Sequence, residues 1–568
     1  MSTDPRLWGG TIRTGLVWGG VAVFLALVGM VEAFAGRQIV AGVISLGRSL
    51  LLLTGLAAGY QAAQRSAGGG PMLILSRAGL AGAVAGALLS ALVLVGSALD
   101  LRQVLVNASP GLFSLLSFGQ GVAGAYLTVL AAMAAGAAGG VASLLAARAR
   151  GPLVTGLAGV LALGLFQELL DPVLRRSIVG SAIRGLLFAD NGLSLPGAFA
   201  TFLLAGGMSA LWTDRKAAAR RWLLTLPASR RLGLRLLALG LGVSVLLLLP
   251  LAAGPFLSTV LVLVGLYTLM GLGLNLEVGL AGLLDLGFVA FFAIGAYTAG
   301  LLTSTGDLAI ANLSFWGAVP VAVVVSLIAG VILGVPVLGI RGDYLAIATL
   351  GFGEITRLLF LSDFLRPWLG GSQGVLGIPK PTIGGLELKG PEHLFYVTLV
   401  SSALVAYIAI RLRDSRLGRA WMALREDEDV AEAMGINLVN VKLLAYGLGA
   451  AFAGVSGAIF AVLVGSVFPH SFQLLISINV LALIIVGGIG SMPGVVVGSL
   501  FLVGLPELLR EFAEFRFLVY GAALVLMMQL RPEGLWPAAA ISRELHAADE
   551  MVRSREATRL TDAPPTDG

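Results

Sequence analysis

The sequence RLRDSRLGRAWMALREDEDVAEAMGINLVNVK, residues 411–442, is the longest charge-dense insertion in a strongly hydrophobic chain. Apolar runs that are long enough to cross a bilayer lie on both sides of it, at about 394–410 and 443–464. Cytoplasmic loops of membrane proteins carry an excess of Lys and Arg. The segment is therefore predicted to be a cytoplasmic loop, on the basis of Arg411, Arg413, Arg416, Arg419, Arg425 and Lys442.

The interior of this loop carries the signals of a short helix with defined ends. Asp427 can cap its N-terminus, and Glu428 and Asp429 then lie at the positive end of the helix dipole. Gly435 can supply the left-handed residue at which the helix stops, and Asn437 can cap the membrane helix that follows. The loop is therefore predicted to contain a short, well-bounded helix.

Apolar side chains recur in this helix at helical spacing. Val430, Ala431 and Met434 would share one face, and Trp421 and Leu424 would share a face of a preceding turn. A linker between two membrane helices needs no such face, whereas a surface that docks a soluble partner does. We interpret the segment as a docking element. A solvated loop with incidental helicity is the alternative.

The composition of the chain excludes a soluble globular protein. Of 568 residues, 57% are hydrophobic and 12% are charged, against about 25% charged in average soluble chains, and the mean hydropathy is +0.95. The absence of cysteine excludes disulfides, thiolate metal sites and cysteine catalysis. The formal charge of +6 lies mostly in loops, where it indicates membrane orientation rather than nucleic-acid binding.

Hydropathy predicts an all-α polytopic integral membrane protein with about 15–16 transmembrane helices. We predict an N-terminal membrane extension of about seven spans over 1–250, a second domain over 251–540 with the loop 411–442, and a disordered tail over 541–568. The predicted spans lie near 16–34, 39–60, 73–97, 121–147, 153–170, 196–212, 233–250, 255–275, 280–302, 315–338, 344–361, 394–410, 443–464, 475–509 and 515–530.

The distribution of basic residues predicts the orientation of the chain. With the N-terminus in the cytoplasm, alternation of the spans also places there the basic connection 215–235 and the loop 411–442. A cytoplasmic tail requires the segment 475–509 to cross the membrane twice, with a break at the glycine-rich run 487–494. A single discontinuous helix inside the membrane is the alternative.

Several polar residues fall within or beside predicted spans. Glu354 and Arg357 lie three residues apart on a helix and can pair inside the membrane, where charges usually face a protein interior or a water-filled cavity. A pair that only fixes packing is equally consistent with this spacing. Asp285, at the start of a span, fits either a cap near the interface or a transport role. Asn275 and Glu277 are predicted to lie in a short turn between spans. The candidates for the substrate pathway are Asn275, Asp285, Tyr297, Tyr344, Glu354 and Arg357.

No pattern of residues indicates catalysis or a bound cofactor. The three histidines, at 393, 470 and 546, are too scattered for a metal or nucleophile site, and GxxxxGK[ST] does not occur in the sequence. We therefore expect this chain to bind no cofactor and to have no enzymatic activity. If transport is driven by ATP, another polypeptide must hydrolyse it.

Five motifs together resemble a known family. GLGLNLEVGLAGLLDLGFVAFFAIGAY at 271–297, RGDYLAIATLGFGEITRLLF at 341–360, GIPKP at 377–381, GRAWMALREDEDVAEAMGI at 418–436 and IVGGIGSMPG at 485–494 occur in this order. They are similar to the M-type (LivM-like) permeases of branched-chain amino acid ABC importers. The resemblance extends over roughly residues 255–540, and the first 250 residues are interpreted as an accessory membrane extension.

The resemblance implies a role for the loop and a set of partners. In the family, the segment that matches 418–436 couples the permease to a cytoplasmic ATPase, and Glu432-Ala433 and Gly435 resemble its Glu-Ala-Ala…Gly signature, with Met434 departing at the third position. The implied partners are a second, H-type permease subunit, two ATP-binding subunits that hold ATP and Mg, an extracytoplasmic substrate-binding protein and the lipid bilayer of a bacterial plasma or inner membrane. The implied coupling residues are Arg419, Trp421, Leu424, Arg425, Glu426, Asp427, Val430, Ala431, Glu432, Ala433, Met434 and Gly435.

Two alternatives to this function stay open at the level of sequence. An ion-coupled secondary transporter would use intramembrane carboxylates such as Glu354 or Asp285 and would need no docking helix. An ABC permease for another small substrate, such as urea or amides, would share the same motifs. A permease performs no covalent chemistry, so the expected mechanism is alternating access to the substrate.

Overall fold

A computed structural model describes residues 5–66, 70–175, 178–189, 191–225, 227–340, 342–510 and 515–538 of the chain. In these ranges ten helices are long and apolar enough to cross a membrane, and four shorter apolar helices accompany them. The prediction of an all-α polytopic membrane protein is confirmed, and these helices compare with about 15–16 predicted for the whole chain. The shorter apolar helices, such as 289–303 and 515–529, lie where hydropathy predicts full spans. The tail 541–568 lies outside the described residues.

The chain divides into two compact units, 1–242 and 243–568. The first unit is helical apart from a four-stranded sheet in which Val40 of β1 (Gln38–Val40) pairs in parallel with Leu193 of β4 (Gly192–Leu193). The other strands of the sheet are β2 (Ile44–Ser45) and β3 (Phe188–Ala189). The helices are α1 (Pro5–Leu27), α2 (Met30–Ala33), α3 (Leu46–Gln64), α4 (Pro71–Ala98), α5 (Pro110–Leu116), α6 (Ala125–Leu144), α7 (Ala147–Leu165), α8 (Gln167–Leu174), α9 (Ile178–Leu187) and α10 (Leu195–Thr225).

Small residues let the helices of the first unit approach closely. A Cβ on Gly59 would lie 2.0 Å from the carbonyl oxygen of Gly136, and one on Gly82 would lie 2.3 Å from that of Ala132. Backbone contact of this kind is typical of helix packing in membranes, where apolar burial alone does not drive association. The glycine-rich composition of this part of the chain therefore reflects packing between α3, α4 and α6.

The second unit consists of helices with one two-stranded sheet. Helix α11 (Ala228–Leu274) has residues of both units and is kinked at Gly254, where φ is +84°. A π-helical turn, Asn275–Leu280, follows it. The remaining elements are α12 (Val289–Thr303), α13 (Phe315–Val337), α14 (Asp343–Leu361), α15 (Arg366–Leu369), β5 (Thr382–Ile383), β6 (Leu386–Glu387), α16 (Pro391–Arg413), α17 (Arg416–Glu426), α18 (Glu428–Ala433), α19 (Leu438–Val464), α20 (Leu474–Gly487), α21 (Met492–Ser499), α22 (Leu505–Leu508) and α23 (Phe515–Leu530).

Helix α19 lies at the centre of the second unit and packs against α12 and α13. Ala450 and Ala458 are fully buried, and a Cβ on Gly295 of α12 would lie 2.6 Å from the Cα of Gly454. The small residues at 450, 454 and 458 of α19 therefore form a close-packing surface. Such packing lets neighbouring helices move as one rigid body, because the two backbones leave no room for sliding side chains.

The chain reverses between α20 and α21. Gly488 and Gly490 have φ of +117° and +77°, and a Cβ on Gly487 would lie 2.0 Å from the carbonyl oxygen of Gly494. The two arms therefore pack against each other, as predicted for the break at 487–494. The 14-residue α20 has a length of about 21 Å, which is shorter than a bilayer core of about 30 Å.

Residues near the end of the described chain cap this reversal. The backbone N–H of Leu535 donates to the carbonyl of Val486 at 2.8 Å, and that of Trp536 donates to the carbonyl of Gly487 at 2.9 Å. The last carbonyls of a helix lack partners within the helix. The segment after α23 thus satisfies carbonyls of α20 that would otherwise stay unpaired.

Candidate functional site

The loop 411–442 folds as two short helices with capped ends. The Ser415 hydroxyl accepts from Gly418 N at the start of α17. The Asp427 carboxylate accepts from the N–H groups of Asp429 and Val430, at 2.9 and 3.0 Å, and so caps α18. Gly435 has φ of +86°, and Asn437 Oδ1 accepts from Asn440 N at 3.0 Å to cap α19. The predicted caps and the predicted left-handed stop are therefore confirmed.

Two polar contacts fasten these helices to α19. The indole N–H of Trp421 donates to the carbonyl of Val441 at 2.9 Å. The ammonium group of Lys442, whose side chain is only 4% exposed, forms an ion pair with Glu428 and donates to the carbonyl of Leu338 at 3.2 Å. A buried charge is stable only when it is paired and hydrogen-bonded. The helices α17 and α18 are therefore held rigidly against the membrane bundle.

The apolar residues of the loop divide between two faces. Trp421, Leu424 and Ala431 are buried against the rest of the second unit, whereas Val430 and Met434 are 58% and 79% exposed. The predicted face of Val430, Ala431 and Met434 is therefore not one continuous surface, because Ala431 packs inward. The remaining predicted coupling residues are on the surface; they are Arg419, Arg425, Glu426, Asp427, Glu432, Ala433 and Gly435.

Replacing Gly435 by Val is expected to reduce transport several-fold while Asn at the same position preserves it. A Cβ at Gly435 would meet no atom within 4 Å, so the cost is confined to the left-handed backbone, about 1–2 kcal/mol for a residue other than Gly or Asn. A change of backbone conformation that relieves this strain would alter the orientation of the Val430 and Met434 side chains. Uptake and ATP hydrolysis by the reconstituted transporter measure the effect, and equal activities of Gly435→Val and Gly435→Asn would contradict it.

Two acidic residues lie near each other in the core of the second unit: Asp285, a candidate for the pathway, and Glu277. Both are fully buried. Asp285 Oδ1 accepts from Gly287 N at 2.7 Å. In the part of the chain that the structure describes, the other Asp285 oxygen and both Glu277 oxygens have no donor. Because two adjacent buried carboxylates repel strongly, we expect the pair to share a proton.

The surroundings of this acidic pair are tightly packed. A Cβ on Gly449 of α19 would lie 1.9 Å from Glu277 Oε1, so only glycine leaves room for the carboxyl group. Asn275 is fully buried as well, and its Oδ1 accepts from Gly490 N at 2.9 Å. The prediction that Asn275 and Glu277 lie in a short turn between spans is corrected: they lie in a π-helical turn inside the protein. Contacts with α19 and with the reversal cover this turn.

The tyrosines of the region differ in their environment. Tyr297 is 2% exposed and its ring packs against Phe360 with centroids 4.3 Å apart. Tyr344, at the start of α14, is 77% exposed. Tyr446, which sequence analysis did not single out, is 1% exposed and lies near Glu277 and Asp285. Its position eight residues after the predicted start of α19 carried no signal of this contact, because the acidic pair comes from a distant part of the chain.

Glu354 and Arg357 form the predicted ion pair on α14. The Arg357 Nε donates to both carboxylate oxygens of Glu354, at 3.1 and 3.0 Å. The side chains are 42% and 22% exposed, so the pair lies on the surface of this subunit. The interpretation as an ion pair is confirmed, and the pair is partly exposed on this chain.

Reversing one charge of this pair is expected to lower uptake strongly, and reversing both is expected to restore part of it. Glu354→Arg would place two positive charges near the middle of a membrane helix, where one unpaired charge costs about 2.5–3.5 kcal/mol. The double variant Glu354→Arg/Arg357→Glu keeps the pair. Uptake and the amount of inserted protein measure the coupling between the two positions. Equal damage in single and double variants would show that the two residues do not act as a pair.

Comparison with known proteins places residues 256–528 in the family described as branched-chain amino acid transport system / permease component. Over 294 residues the chain is 43% identical to the high-affinity branched-chain amino acid transport system permease protein LivM of Salmonella typhimurium, covering 48% of this chain and 68% of that protein. LivM of Escherichia coli is 42% identical with the same coverage. LivH of Escherichia coli is 26% identical over 290 residues, 47% of this chain and 90% of the relative.

No solved structure matches the chain significantly. The matched range contains the anchored helices α17 and α18, the acidic pair and the reversal, and it leaves out α1–α10. Its identity to LivM over two thirds of that protein is far above the level at which folds and broad functions diverge. The chain is therefore a multi-pass transport permease that belongs to the family of branched-chain amino acid transport system permease components.

Proposed function

We propose that this protein is the permease subunit of an ATP-driven importer of branched-chain amino acids. The observation that carries the proposal is the element α17–α18, which is anchored to α19 while Val430 and Met434 are left exposed. Exposed apolar side chains on a rigid, capped helix fit a protein partner better than solvent. The chain has no P-loop of its own, so the ATPase is a separate polypeptide.

Different partners are proposed for the two sides of the membrane. By the positive-inside rule, the loop 411–442, the N-terminus and the tail would lie in the cytoplasm, where two ATP-binding subunits would hold ATP and Mg. A substrate-binding protein would deliver amino acid on the opposite side. Leucine, isoleucine and valine are the proposed substrates because the relatives are named for branched-chain amino acids. Urea and amides are the alternatives, and the uptake assay below separates them.

The exposed ion pair supports a second permease subunit. Glu354 and Arg357 lie on a helix long and apolar enough to cross the membrane, yet both are partly exposed on this subunit. Charged residues at membrane depth face protein or water rather than lipid. We therefore infer that this face of α14 meets the second, H-type permease subunit or lines the pathway between the two. Tyr344 and Ile347, which are 77% and 65% exposed, lie on the same face.

Transport would proceed by alternating access. Closure of the ATPase dimer would push on α17 and α18, and their anchors on Val441 and Lys442 would pass the displacement to α19. Because α19 packs on α12 and α13 through small residues, the three helices would move together. The bundle would thereby expose the substrate pathway to one side of the membrane at a time.

The test is ATP-dependent uptake in vesicles. The full chain is reconstituted with a second permease subunit, the ATPases and a substrate-binding protein, and uptake of labelled leucine, urea and acetamide is measured. Leucine uptake that requires ATP and the binding protein is expected. Uptake of urea or acetamide in place of leucine would reassign the substrate, and uptake without ATP would reject the ABC mechanism.

A second candidate function rests on the acidic pair. Glu277 and Asp285 are fully buried and have no basic partner in the described part of the chain, which is the chemistry of a proton-coupled carrier. Uptake driven by a pH gradient through the isolated chain would favour this alternative. We favour the ABC permease, because a secondary transporter has no use for the anchored helices α17 and α18.

A further inference from the structure

Arg425 is exposed overall, but its guanidinium group contacts the π-helical turn Asn275–Leu280. Arg425 lies in the last turn of α17, and its Nη1 donates to the carbonyl oxygen of Gly279 at 2.7 Å. Gly282, with φ of +73°, packs against the stem of the same arginine, where a Cβ would lie 3.0 Å from Arg425 Cγ. The arginine therefore occupies a fitted position beside the π-helical turn Asn275–Leu280.

The acceptor of this bond is a carbonyl that the helix itself cannot satisfy. Gly279 lies at the end of the π-helical turn that terminates α11, and terminal carbonyls lack intrahelical partners. A charged donor satisfies such a carbonyl more strongly than a neutral one. A buried backbone acceptor without a partner is costly, so the bond with Arg425 stabilises the conformation of this turn.

The opposite side of the turn touches the reversal between α20 and α21. Asn275 Oδ1 accepts from Gly490 N at 2.9 Å, and Asn275 Nδ2 lies 3.6 Å from the sulfur of Met492. A Cβ on Gly279 would lie 2.8 Å from Gly490 N, so turn and reversal are in backbone contact. The chain of contacts runs from Arg425 through the turn to Gly490 without a gap.

We propose that Arg425 is a positioning residue that transmits displacement of the docking helices to the reversal at 488–491 through the π-helical turn. This inference rests on the proposed function, because it requires an ATPase to displace α17. It adds a second route to the anchors of Trp421 and Lys442, which lead only to α19 and α13. The turn also carries Glu277, so the same displacement reaches the acidic pair.

Substitution of Arg425 by glutamine or lysine distinguishes transmission of the displacement from docking of the ATPase. Arg425→Gln removes the charge and shortens the side chain, so the bond to Gly279 is lost. Arg425→Lys keeps a charged donor that can reach the same carbonyl. Arg416→Gln, at the exposed first turn of α17, is the matched control for loss of one arginine charge from the helix.

The experiment uses the full transporter in vesicles and measures ATPase binding, ATP hydrolysis and leucine uptake. For Arg425→Gln we expect leucine uptake per ATP hydrolysed to fall at least tenfold. Arg425→Lys should recover most of the loss, and Arg416→Gln should behave as the parent protein. An unchanged ratio of uptake to hydrolysis in Arg425→Gln would overturn the proposal, and so would loss of ATPase binding by a folded variant.

A spectroscopic measurement supplies a readout that a purely structural role would not move. The chain lacks cysteine, so Ile489→Cys can be spin-labelled before assembly with the partner subunits and is then the single labelled position of this chain. ATP should change the spectrum of the label in the otherwise unaltered transporter and leave it unchanged in the Arg425→Gln background. An equal ATP-dependent change in both backgrounds would overturn the proposal. Failure of the unaltered transporter to take up leucine with ATP would instead reject the proposed function.

Discussion

A Val430→Glu/Met434→Glu variant is expected to fold and insert normally but to lose ATP-driven uptake by about 100-fold or more. Both side chains are exposed, at 58% and 79%, and neither contributes to the packing of the subunit, so the fold has little to lose. Docking of an ATPase would bury these positions. Moving an unpaired carboxylate out of water into an apolar contact costs several kcal/mol, and each 1.4 kcal/mol is a factor of ten in affinity.

The matched control for this variant is Leu386→Glu. Leu386 lies on β6, is 63% exposed and belongs to the segment between α14 and α16, which is predicted to face the other side of the membrane. The same chemical change there should leave ATPase binding intact. Co-purification of the ATPase and substrate-stimulated ATP hydrolysis are the measurements. ATPase binding by the double variant at the level of the parent would show that Val430 and Met434 are not the docking surface.

Replacing Gly457 by Ala is expected to destabilise the protein strongly. A Cβ at this position of α19 would lie 2.2 Å from the carbonyl oxygen of Phe292 and 2.6 Å from the N of Ala296, both in the backbone of α12. Backbone atoms cannot rotate away, so α12 and α19 would have to separate. Overpacking of a close-packed core costs about 1–3 kcal/mol and occasionally more. We expect about 3 kcal/mol here, and a clear fall in Tm.

Gly447 of the same helix provides the comparison. A Cβ there would lie 3.1 Å from Cγ2 of Val331, a side-chain atom that small rotations can displace. Gly447→Ala should therefore unfold within a few degrees of the parent protein. Thermal unfolding in detergent, followed by size-exclusion chromatography, measures both variants. Equal Tm values for Gly457→Ala and Gly447→Ala would mean that the α12–α19 crossing tolerates separation.

Local features of the docking element could be predicted from sequence, whereas the partners of its faces could not. The caps at Asp427 and Asn437 and the stop at Gly435 depend on residues within one helical turn. The burial of Trp421 and Ala431 depends on α19, and helical periodicity does not reveal which neighbour covers an apolar face. The apolar residues of the docking element therefore include some that pack against the bundle and others that remain exposed.

The contacts of the acidic pair and of its π-helical turn could not be predicted from the sequence for a similar reason. Asn275 meets Gly490, about two hundred residues later in the chain, and no local pattern records this contact. Hydropathy also does not distinguish a short apolar helix inside a bundle from one that crosses the membrane. The span predicted at 39–60 begins at Leu46, since residues 38–45 pair in a sheet with a strand at 192–193.

The caps that Leu535 and Trp536 place on α20 bear on the order of events during synthesis. The carbonyls of Val486 and Gly487 receive their donors from residues that the ribosome adds about fifty positions later. Until then, the end of α20 must keep its polar groups solvated by water or by the insertion machinery, because unpaired backbone groups are costly in lipid. The hydrogen bonds that cap the reversal therefore form only after α23 has been synthesised. A premature stop before Leu535 would leave a bundle in which all the helices are present but the carbonyls at the reversal between α20 and α21 lack these donors.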